Sequence, residues 1–235
     1  MNPSHNLREQ KRDLSPYLFH FTKGPDCKER LESILSEECL KSELGYICFT
    51  ESPLTSSHEL FKYMESWDKP MYSRYAIGFK RDILIDQFRA RPVIYGDDKD
   101  FAMLGNGLNW RYELLDVHSH DFTWLREWRI EGNEFHFSSI SKNDIIVVAP
   151  TEDEIIDVVS SLEIDVDFNY EHENRVAHPY QICRKTREWI GISFNETIKY
   201  DNDNIIELIT ILQNIGEELS NIQHLQPNIT IQGGK

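Results

Sequence analysis

Glu127 and Arg129 lie in the stretch "WLREWRI" (residues 124–130), whose large aromatic and branched side chains suit a pleated surface. If residues 124–130 form one strand, alternation puts Trp124, Arg126, Trp128 and Ile130 on one face and Leu125, Glu127 and Arg129 on the other. A carboxylate held on such a strand can take a hydroxyl proton or stabilise a developing cation. Other polar residues sit singly on otherwise apolar strands: His20 and Thr22 in "YLFHFT", Thr50 in "GYICFTESP", and Tyr72 and Tyr75 in "YSRY". Each has a plain structural reading: a strand histidine satisfied in the core, a strand glutamate at an edge or paired with an arginine such as Arg129. Together they carry more weight, because burying charge costs several kcal/mol unless it is paired.

These residues need strands to hold them. "YLFHFT" and "GYICFTESP" read as strands separated by a helix over Leu31, Ile34 and Leu35, with Asp26 as its N-cap and its end near Leu40. A helix over Thr55 to Trp67 precedes the strand "YAIGF", and "RDILIDQF" reads as a short helix behind it. "RPVIYGD" is a short strand, and "EFHF" is expected to pair with the 124–130 strand. "DIIVVAP" is a continuous apolar run that suits a buried strand, followed by a helix opened by a capping box of Thr151 and Glu154. Residues 163–200 read as acidic and irregular, with weak strand signals at "YQIC" and "EWIGISF". An apolar stripe from Ile205 to Leu219 marks a last helix, over Asn204 to about Ile222. Short strands mixed with helices predict an α+β fold rather than a doubly wound sheet.

Composition limits the function. The 235 residues, 40% hydrophobic with 5 Trp, 10 Tyr and 12 Phe, are enough for a sizeable core. No run of about 18 apolar residues predicts a membrane span. The polar start "MNPSHNLREQKRD" lacks an apolar signal segment, so a cytoplasmic location is expected. Four scattered cysteines without a C-x-x-C pair predict reduced thiols rather than a disulfide framework or zinc knuckle. The net charge is −15, and residues 151–235 hold 16 acids against 6 bases. That half would repel a phosphate backbone and is expected to be a solvated face. Nucleotide-binding glycine loops, nucleophile elbows and H-E-x-x-H are all absent. "HSHD" (118–121) places its ligand types in a single loop, and no metal is expected.

The blocks "LFHFTK", "LESILSEECLKSELG", "ICFTESPL", "YSRYAIGFKRDIL", "RPVIYGD" and "REWRI", in that order, resemble the AbiGi-type abortive-infection family of bacteria. The wider group includes DarT-type nucleic-acid-modifying toxins with an ADP-ribosyltransferase-like fold. The likeness covers residues 14–150; residues 151–235 are expected to be an acidic, partly helical extension packed on the same domain. The resemblance implies a split, bent sheet that binds NAD as substrate. It implies that His20, with Thr22 beside it, holds the adenosine ribose, that Tyr75 or else Tyr72 stacks near the nicotinamide, and that Glu127 is catalytic. Thr50, Arg91 and Arg129 are further candidates for binding NAD, the arginines through its pyrophosphate; Arg74 is a less favoured third. Toxins of this fold that modify protein often carry a second Glu or Gln two residues before the catalytic glutamate. Leu125 stands there, which shifts the expected acceptor from arginine side chains toward RNA, single-stranded DNA or another nucleophile. Arg74, Arg89, Arg91 and Arg111 could admit a single strand or one base. A cognate antitoxin or toxin is the expected protein partner. The alternative is a non-catalytic antitoxin or phage-sensing protein on a degenerate transferase fold.

Overall fold

The computed structural model describes residues 13–199 except 120 and 172–175, together with residues 7, 11 and 229–231; for 106, 161–187, 199 and 229–231 it describes backbone alone. In chain order the elements are β1 (Tyr17–Phe21), α1 (Cys27–Glu37), β2 (Cys39–Lys41), β3 (Tyr46–Thr50), α2 (His58–Met64), β4 (Ala76–Lys80), α3 (Arg81–Phe88), β5 (Arg91–Pro92), β6 (Ile94–Gly96), α4 (Asp98–Met103), β7 (Tyr112–Leu114), β8 (Glu127–Glu131), β9 (Glu134–His136), β10 (Ile145–Ala149), α5 (Glu152–Val159), β11 (Ser160–Glu171), β12 (Val176–Arg187), β13 (Ile190–Ser193) and β14 (Ile229–Ile231). The α+β expectation holds: a seven-stranded sheet runs in the order β13-β10-β4-β1-β3-β8-β5, antiparallel except where β13 joins β10. No helix among the described residues is long and apolar enough to cross a membrane.

Alternation along the strands divides the core between two faces. On one, Leu18, Ile47, Phe49, Ile77, Phe79, Trp128 and Ile130 pack with Leu31 and Leu35 of α1, Leu84 of α3, and Ile155 and Val159 of α5. On the other, Tyr17, Phe19, Ile146, Val148 and Ile192 pack with Leu54, Phe61, Met64 and Phe194. Gly78 has a steric reason: a Cβ there would lie 2.4 Å from the Phe19 ring, directly opposite on β1.

The ladder is uneven. β1 meets β4 over five residue pairs, Tyr17↔Lys80 to Phe21↔Ala76, but meets β3 at one pair, Phe19↔Thr50. Beyond that pair the two strands are bridged by a side chain: His20 Nδ1 donates to the Cys48 carbonyl at 2.8 Å.

Several expectations are corrected. "WLREWRI" is not one strand: Thr123–Leu125 form a 3₁₀ turn, Arg126 takes a left-handed conformation (φ 48°), and β8 starts at Glu127. Trp124 therefore lies in the turn, partly exposed, and does not flank Glu127 on the strand. Asp26 makes no side-chain cap, and α1 ends at Glu37 because Glu38 turns left-handed (φ 48°) into β2. The 55–67 helix is a 3₁₀ turn at Leu54–Ser56 followed by the shorter α2. "EFHF" pairs with β2 rather than with β8. The irregular 163–200 segment is largely two twelve-residue strands, β11 and β12, paired throughout. Its sequence had the signal: Leu162, Ile164, Val166, Phe168 and Tyr170 alternate with polar residues at period two. "YQIC" and "EWIGISF" do fall on strands, and β13 completes the main sheet beyond residue 150. The 204–222 helix lies outside the described residues.

Candidate functional site

The polar group that the sheet assembles is built on β3 and β8. Register puts Thr50 directly opposite Glu127, and Cys48 directly opposite Arg129, so all four share the face that carries Phe19. Glu127 is only 8% exposed and Arg129 only 2%. Arg129 Nε donates to Glu127 Oε1 at 2.7 Å. The rest of the guanidinium is also engaged: one nitrogen donates to the carbonyls of Tyr112 at 2.8 Å and Trp110 at 3.2 Å, the other pairs with Glu113, and the plane lies 4.0 Å from the Tyr46 ring centre. Burial by itself would lower the Arg129 pKa, but the bond and charge of Glu127 and the bond to Glu113 override it and hold the guanidinium above its usual value.

Further groups feel the Glu127 charge, Cys48, Tyr72 and Tyr95 most strongly. Burial, then the Glu127 carboxylate, pushes the Cys48 thiol well above its ordinary range, so it is a thiol rather than a thiolate nucleophile at neutral pH. Burial and the same carboxylate raise the phenols of Tyr72 and Tyr95, leaving both as protonated donors. Tyr95 donates to the Phe122 carbonyl at 2.9 Å, and Tyr72 packs against Phe21 with ring centres 6.3 Å apart. Thr50 donates to the Leu125 carbonyl, fastening β3 to the turn that launches Glu127. Arg126 makes that turn possible by taking the left-handed conformation, after which the chain rejoins the ladder with its glutamate facing inward.

The remaining candidates have hydrogen-bond partners other than Glu127 and Arg129. His20 alternates with Phe19 and so starts from the opposite face, its ring edge-on to Phe49 at 6.0 Å. Burial lowers its pKa. A carbonyl can only accept, so Nδ1 carries the proton and the neutral ring keeps Nε2 as an acceptor. Thr22 is a structural clamp, its hydroxyl lying 2.8 Å from Ser73 Oγ and 3.1 Å from the Tyr75 carbonyl. Tyr75 is buried in the core on the face that packs against α1, α3 and α5, where its hydroxyl donates to Glu154 Oε1 of α5 at 2.6 Å. Arg91 stands opposite Arg129 at the edge strand, with its guanidinium on the carbonyls of Ala90 at 2.7 Å and Ile85 at 3.4 Å.

The structure thus brings together Glu127, Arg129, Thr50 and Tyr72, and sets Thr22 and Tyr75 apart from them. Cys48, Tyr95 and Glu113 belong to the cluster and were missed. For Cys48 the signal was available, since it alternates with Thr50 on "YICFT". No family model, curated protein or solved structure matches the chain.

Proposed function

We propose that the protein is an NAD-dependent ADP-ribosyltransferase of the AbiGi-type abortive-infection group, a bacterial anti-phage or toxin effector whose acceptor is nucleic acid or protein. The observation that carries this reading is Glu127: a carboxylate buried on a strand, beside two protonated phenols, one strand away from the place where β1 and β3 part. That parting supports a split sheet.

The residues fit the substrate's demands. Cleavage of the bond between ribose and nicotinamide develops positive charge on the sugar, which a nearby carboxylate stabilises without reorganisation. Glu127 would provide that charge and accept a ribose hydroxyl. Tyr72, rather than Tyr75, is the tyrosine near Glu127 and offers the aromatic surface for the nicotinamide. The neutral His20 ring, with Nε2 as acceptor, suits a ribose hydroxyl at the parting of the strands. Arg129 orients Glu127 and balances its charge.

A second reading, a non-catalytic antitoxin or phage sensor, has its own support. Glu127 is closed in its bond with Arg129, and His20 starts from the other face of the sheet. The deciding experiment is nicotinamide release from NAD by the purified chain and by Glu127→Gln, with RNA, single-stranded DNA or cell lysate in separate reactions. Release that disappears in the variant supports the transferase, and dependence on one polymer identifies the acceptor class. Neither release nor NAD binding under any condition leaves the binding protein.

A further inference from the structure

A second cluster of chemically capable side chains lies away from Glu127, on the two-stranded sheet of β2 and β9. Cys39 stands directly opposite His136, and Glu134 lies two residues before His136 on the same face of β9. His136 Nε2 is 3.9 Å from Cys39 Sγ and 3.2 Å from Glu134 Oε2, and the three atoms all lie within 4.8 Å of one another. One ring nitrogen therefore faces two electron-pair donors at once. It can offer one proton between them, whereas a cation at the common centre would satisfy all three.

The spacing fits such a cation. Bond lengths of about 2.3 Å to sulfur and about 2.0–2.1 Å to nitrogen or oxygen, arranged tetrahedrally, give S···N and N···O edges of about 3.6 and about 3.3 Å. The strands that hold the ligands are anchored, because Leu40, Phe135 and Phe137 beside them are buried in the core. Cys39 is buried while Glu134 and His136 are exposed, which leaves a path for entry. Lys41, on the same strand as Cys39, is engaged by Glu37.

We propose that Cys39, Glu134 and His136 bind a zinc-class divalent cation, with water as the fourth ligand. Binding releases the thiol proton and uses the neutral imidazole, so affinity rises with pH. The ion would clip β2 to β9. Nothing in this site depends on the transferase reading, and it departs from the expectation that the chain binds no metal.

The test is titration of the full, reduced chain with Co²⁺ alone, followed by displacement with Zn²⁺. The expected result is a thiolate-to-cobalt charge-transfer band that saturates at one ion per chain, is bleached by Zn²⁺ and is absent in Cys39→Ser. His136→Gln and Glu134→Gln change exposed side chains and spare the core; each should weaken Co²⁺ binding by about tenfold or more. A band that persists in Cys39→Ser would assign the ion to another cysteine and overturn the proposal. So would the absence of a band, or affinity unchanged in both exposed variants while their circular dichroism matches the parent.

Discussion

Glu127 and Arg129 project from alternate positions of β8 into one buried space, with Arg129 Nε 2.7 Å from Glu127 Oε1, and Glu113 holds the far side of the same guanidinium. Two carboxylates thus share one cation. Exchanging the acid for its amide and removing the cation should therefore have different consequences.

Glu127→Gln keeps the shape and leaves Arg129 paired with Glu113. If the protein is a transferase, nicotinamide release should fall about a hundredfold or more, with a melting temperature close to the parent's. A variant that retains full turnover would remove Glu127 from the chemistry.

Arg129→Leu should instead be a stability variant. It leaves Glu127, and partly buried Glu113, without a counter-charge, and removal of one partner from a buried pair costs about 3–5 kcal/mol. Urea unfolding at neutral pH measures this.

Tyr72 and Tyr75 separate by function. Tyr75→Phe loses the bond to Glu154 and should lower stability by about 1 kcal/mol, leaving any turnover intact. If the protein is a transferase, Tyr72→Ala should impair turnover or NAD binding. Equal effects on turnover from the two variants would contradict this division.

His20 gives a pH signature. Burial depresses its folded pKa below the ordinary 6.5, so on acidification the unfolded chain takes up a proton that the folded chain refuses. Stability should therefore be flat above about pH 7 and fall below 6.5, with a slope approaching about 1.4 kcal/mol per pH unit for one such group. His58, whose pKa is lowered by burial and then by Arg74, adds in the same direction. Urea midpoints of His20→Gln across pH 5–8 should show a shallower slope than the parent's.

Gly78→Ala would press a methyl group into Phe19 and should cost about 1–3 kcal/mol. Adding Phe19→Leu should recover part of that loss, since the two sites share one volume. Simple additivity of the two would argue against the clash.

Hydrophobic period made much of this fold readable. β10 was visible as five consecutive apolar residues, and α3 matched "RDILIDQF" residue for residue. The β11–β12 pairing is masked in the sequence by the acidic residues interleaved with the alternating apolar ones. The start of β8 was hidden for another reason: Arg126 and Glu38 take left-handed conformations usual for glycine or asparagine, so residue type gave no hint of either turn. As for the site, Glu127 and Arg129 were found because a strand bearing both charges is conspicuous. The sequence favours Tyr75 over Tyr72, whereas the fold seats Tyr75 in the core against Glu154, because which face a tyrosine occupies depends on where β4 begins. Glu113 and Tyr95 come from distant segments that only the folded chain brings to β8.

The single pair Phe19↔Thr50 has a mechanical consequence. Backbone amides on either side of that junction have fewer ladder bonds to break than those between β1 and β4. The sheet should breathe there first, so amide exchange in the Tyr46–Cys48 half of β3 should outpace that in β4. Because the His20–Cys48 bond spans the junction, replacing His20 should speed that exchange further and leave β10 as slow as before.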